Sequence, residues 1–97
     1  MASNKDYLIY VLELLREVNG VTYLKMMGEY ILKKNNVIFG GIYDNRFLVK
    51  KVEGLEDYHM KDAIPFKGAK PMLQVDTENS EEIAEIVNII YQKKRAN

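Results

Sequence analysis

Two dipeptides, Asn35-Asn36 and Asp44-Asn45, constrain this chain more than any other feature. Asn and Asp tolerate positive φ, which a two-residue hairpin turn demands. Asn35-Asn36 precedes the run 37–43 and Asp44-Asn45 separates it from 46–52, both runs rich in β-branched and aromatic residues. The run before them, 22–34, carries Tyr, Leu, Met and Ile and is interrupted by Gly28. It reads either as one long strand bent or bulged at that glycine or as two short strands. Three β-rich runs joined by two tight turns predict an antiparallel meander.

Helical patterns flank the meander. Leu8, Val11, Leu12, Leu15 and Val18 recur at the spacing of one apolar helical stripe, which predicts a helix over 5–18. Ser3 followed by Asp6 fits a capping box at its start, and Asn19-Gly20 fits its end. Near the other terminus Ile83, Ile86, Val87 and Ile90 form a second stripe. Acids lead that segment and Lys93, Lys94 and Arg95 close it, as the helix dipole prefers. Between them, 53–60 suits a short helix, Pro65, Gly68 and Pro71 punctuate a loop, and 72–75 suits a last strand. With 97 residues the natural expectation is one α+β domain, 1–97, an antiparallel sheet with helices packed on it.

Composition removes several chemistries. The absence of cysteine excludes disulfides, thiolate catalysis and thiolate metal sites, and favours a reducing, cytoplasmic setting. The N-terminus shows no signal-peptide pattern and no apolar run approaches the ~20 residues of a membrane span. The only serines, Ser3 and Ser80, read as caps or near-caps, and no G-x-S-x-G elbow is present. His59 is the lone histidine, with Glu56 and Asp62 as its nearest carboxylates in register; this is too few ligands for an expected metal site. Gly40-Gly41 lacks phosphate-loop spacing and reads as a bulge or a close backbone approach. Glu78, Glu81, Glu82 and Glu85 read as surface charges at a helix start. No catalytic residue, metal or cofactor is expected, and the chain is not expected to be an enzyme.

The segment Lys25-Met26-Met27-Gly28-Glu29-Tyr30 resembles the K-M-F-G-E pattern of the TfoX N-terminal domain family, with Met27 where that family commonly has Phe. The run from Ile42 to Lys50 is similar to the family's D-x-R-L-F-L-K hairpin. Ile64-Pro65-Phe66-Lys67-Gly68-Ala69-Lys70-Pro71-Met72 is similar to its P-Y-x-G-A-K-P-M loop. The resemblance implies an α-β(3)-α-β(2)-α order and a role tied to regulating competence genes. Full-length regulators of that family carry a further C-terminal domain resembling a helix-hairpin-helix module. No catalytic residues come with the family.

These readings converge on a non-catalytic regulatory domain that binds a protein partner, with a homodimer as one form of that binding. Formal net charge is zero, yet 23–51 holds Lys25, Lys33, Lys34, Arg46, Lys50 and Lys51 against Glu29 and Asp44. The candidate binding residues are Lys25, Glu29, Lys50 and Lys70. One alternative is a nucleic-acid-associated regulator using 23–51 as a basic surface, with Tyr23, Tyr30 and Tyr43 stacking on bases. Another is a small-ligand domain or enzyme centred on His59 or the tyrosines, which requires a sizeable pocket.

Overall fold

The protein is described by a computed structural model covering residues 3–95. Its first helix, α1, spans Lys5–Leu14. The Asn4 side chain, not Ser3, caps it: Asn4 Oδ1 accepts from the Tyr7 N–H at 2.8 Å. The apolar stripe continues past Leu14, but the backbone tightens there into turns, with Arg16 N–H donating to the Glu13 carbonyl and Val18 N–H to the Leu15 carbonyl. Leu15 is still buried although it lies beyond the helix.

Four strands follow as a meander: β1 Val21–Met26, β2 Glu29–Lys34, β3 Val37–Ile42 and β4 Phe47–Val49. The segment 22–34 is two strands, because Met27 and Gly28 both take positive φ, 53° and 83°. Asn35-Asn36 and Asp44-Asn45 do the same at the next two corners. Positive φ at both central residues is the type I′ signature, whose twist matches that of the flanking strands. The chain then makes a single 3₁₀ turn, Glu56–Tyr58, and reaches β5, Lys61–Ala63. It returns through 64–71 to β6, Met72–Gln74, and ends in α2, Ser80–Arg95. The order is therefore α-β(4)-β(2)-α with a 3₁₀ turn in the middle. It differs from α-β(3)-α-β(2)-α by the extra corner at Met27-Gly28 and by the shortness of the central turn.

All six strands join one antiparallel sheet in the order β1-β2-β3-β4-β6-β5. Register sorts the side chains. Tyr30 pairs with Ile42 and Ile42 with Phe47, while Val49 pairs with Leu73. These residues are buried in one cluster with Leu8 and Val11 of α1 and Ile83, Ile86, Val87 and Ile90 of α2. Both helices thus cover the same face of the sheet. A bulge in β3 opposite Leu32/Lys33 turns Phe39 into this cluster as well.

Two glycines in β3 are required by close approaches. A Cβ on Gly40 would stand 2.3 Å from the Leu48 carbonyl oxygen, and one on Gly41 2.6 Å from that of Tyr30. The close-approach reading of Gly40-Gly41 therefore holds, while the bulge falls one residue earlier, at Phe39.

Candidate functional site

The face of the sheet opposite the helices is only partly covered. Alternation places Leu24, Ile31, Gly41 and Leu48 along one row of that face. Over its β4–β6 half runs the 64–71 connection. Arg46 holds it there, its Nη2 donating to the Ile64 carbonyl at 3.0 Å and its Nε to the Tyr43 carbonyl at 3.1 Å. The Tyr43 ring lies over Gly41, filling the space a side chain would take, and rests beside Phe66 with centroids 6.3 Å apart. Burial pushes the Tyr43 phenol up, and the nearby Glu29 carboxylate adds to it. Leu48 is fully buried on this side, outside the main cluster.

Among the described residues nothing folds over the β1–β3 half of the same face. Leu24 is 45% exposed, Met26 50% and Ile38 40%, with Ile31 half-buried among them. Beyond the sheet, Met27 at the hairpin tip is 96% exposed. Thr22 and Lys33 share this face in register with Ile38, so the exposed apolar side chains are bordered by polar ones, as on many binding surfaces. Its apolar character was visible in the sequence, but nothing local separated these residues from core.

The four candidate binding residues are not brought together. Lys25 is exposed on β1 and pairs with Tyr30, which faces the helices. Lys50 follows β4 and, two residues beyond Leu48, alternates toward the opposite face. Lys70 is exposed in the 64–71 connection. Glu29 is turned inward: its carboxylate accepts from the Ser3 N–H at 3.0 Å, from the Ser3 hydroxyl and from the Asp44 N–H at 3.1 Å.

The basic run is also partly spent within the fold. Lys34 Nζ donates to the Asn19 carbonyl at 2.8 Å and stands over the Tyr91 ring. Lys51 pairs with Asp62 at 2.9 Å, and Arg46 holds the 64–71 connection. The three tyrosines do not form one platform: Tyr30 is core, Tyr23 packs edge-on against it on the helix side, and Tyr43 lies on the other face.

Around His59, Glu56 accepts from the Gly54 N–H and Asp62 from Lys51, so the expected neighbours are directed elsewhere. Among the described residues no three His, Asp or Glu side chains gather as a metal cluster. Two clefts of about 280 Å³ flank Met60, one lined by Lys51, Val52, Leu55 and Leu73, the other by Tyr58, His59, Asp76 and Glu82. Each is slightly below the ~300–1,000 Å³ of typical ligand pockets. No helix among the described residues is long and apolar enough to cross a membrane.

No protein-family model and no curated protein matches this chain.

Proposed function

We propose that this is a cytoplasmic, non-catalytic regulatory domain that works by binding a protein partner on the helix-free face of its sheet. The observation that carries the reading is the bare apolar surface of Leu24, Met26, Ile31 and Ile38 beside a half that its own chain already covers. Exposed aliphatic and thioether side chains gain from burial against another apolar surface, and methionines adapt to its shape. Lys50 and Lys70 would add charge contacts at its border, and Lys25 at the β1 edge. Glu29 would act by holding the adjoining turns in place. The sequence resemblance is what supports a regulatory role of the competence-regulator kind; the observed order departs from that family's by the extra corner at Met27-Gly28 and by a 3₁₀ turn where the middle helix would stand.

The test is affinity capture from lysate of the native host, with and without nuclease, using the wild type and the Ile38→Asp and Phe66→Ala variants. A nuclease-resistant partner that Ile38→Asp loses supports the reading. Proteins lost on nuclease digestion, or a partner held equally by both variants, overturn it.

A further inference from the structure

We propose that the outer edge of β1 is a self-association site, pairing antiparallel with the same strand of a second copy of this chain. This rests on the interaction reading above and names its partner. β1 runs six residues, pairs among the described residues with β2 alone and has five of its six residues exposed. The other edge of the sheet is guarded: β5 has three residues, and its Asp62 is ion-paired to Lys51. Shortness and charge are how sheets resist strand addition. β1 is guarded far less: it is six residues long, has no proline and no bulge against β2, and carries a single charge, Lys25.

The hairpin decides which backbone groups are available. A two-residue turn makes Met26 and Glu29 a hydrogen-bonded pair, and every second pair after them. Thr22 and Leu24 therefore direct their backbone groups inward, to β2. Val21, Tyr23 and Lys25 present theirs outward. A second copy related by a twofold axis normal to the sheet meets those groups with each face of the sheet continued.

With Leu24 on the axis, Tyr23 of each copy lies opposite Lys25 of the other as a hydrogen-bonded pair. Leu24 meets Leu24, and Thr22 meets Met26, all on the helix-free face. Placing Lys25 on the axis would set two like charges opposite each other, which is destabilising. The edge is thus complementary to itself in the register centred on Leu24. The chain's zero formal net charge leaves the copies without mutual long-range repulsion. Pairing also makes the two bare apolar surfaces contiguous.

Sedimentation of the full chain across concentration, with the Leu24→Lys and Leu24→Glu variants alone and mixed, tests the register directly. The expected result is a wild-type dimer at ~100 μM that dissociates on dilution. Each variant alone should associate roughly tenfold more weakly, and the equimolar mixture should recover as a heterodimer. A wild type that stays monomeric at that concentration overturns the proposal, as do variants that dimerise as well as the wild type. A monomeric wild type that still captures an Ile38-dependent partner would sink self-association while leaving the interaction reading standing.

Discussion

Glu29 and Ser3, 26 residues apart, are joined by two hydrogen bonds to one carboxylate oxygen, from the Ser3 N–H at 3.0 Å and from its hydroxyl. The same carboxylate accepts from the Asp44 N–H, and Ser3 Oγ in turn accepts from the Asn45 N–H at 3.0 Å. One side chain therefore ties the entry to α1, the start of β2 and the β3–β4 corner together. Glu29→Ala should cost about 2 kcal/mol, because charge-assisted bonds are lost and the Ser3 hydroxyl goes unmet, while the Ser3 N–H keeps the Gly28 carbonyl at 3.0 Å. For a domain of this size that lowers the melting temperature by roughly 8–16 °C. Thermal unfolding followed by circular dichroism checks it, and a loss under 3 °C would show the clamp to be unimportant.

Met27 holds a left-handed conformation that suits Asn or Gly better than an unbranched apolar side chain. Met27→Asn should stabilise the fold by about 0.5–1 kcal/mol while removing an almost fully exposed apolar group. Urea denaturation should show a higher midpoint with an unchanged slope. A lower midpoint would mean that the tip is not a type I′ corner.

Gly40→Ala and Gly41→Ala should each cost about 2 kcal/mol or more. The atoms an added methyl meets first are the carbonyl oxygens of Leu48 and Tyr30, which the sheet fixes in place. Gly41→Ala must also displace the Tyr43 ring, 2.7 Å from the added carbon. That variant should raise the exposure of Phe66 and loosen 64–71, seen as faster amide exchange there. Unchanged exchange would detach the loop from the Tyr43–Gly41 contact.

Stability should fall in alkaline solution. Burial raises the Tyr7 phenol, opposed by a hydrogen bond with the Phe47 backbone, and burial also raises Tyr43. Both ordinarily titrate at 10.0. A group raised on folding contributes stability that is fully present below its unfolded pKa and is lost as pH rises through its folded one. Denaturant midpoints should therefore hold to about pH 9 and drop as pH passes 10 and above. Tyr43→Phe should flatten part of that drop; an identical profile would remove Tyr43 from the account.

The sequence alone determined the corners and the stripes. Asn35-Asn36 and Asp44-Asn45 accept positive φ from their own chemistry, and the α1 and α2 stripes follow from spacing, so both are local facts. Met27-Gly28 carries a weaker signal, because only one of the two residues is a turn former, so 22–34 reads equally as one bent strand or as two. Tertiary structure alone decided which apolar residues are core and which are surface. Leu32 and Leu24 look alike in a strand, yet one is fully buried and the other nearly half exposed. The difference is which face the helices chose and how far the 64–71 connection reaches across the other. It also decided that Glu29 is a clamp, since its donors come from residues 26 and 15 positions away. A strand's side chains alternate by rule, but the partner on each face is supplied by distant chain, and no local pattern encodes it.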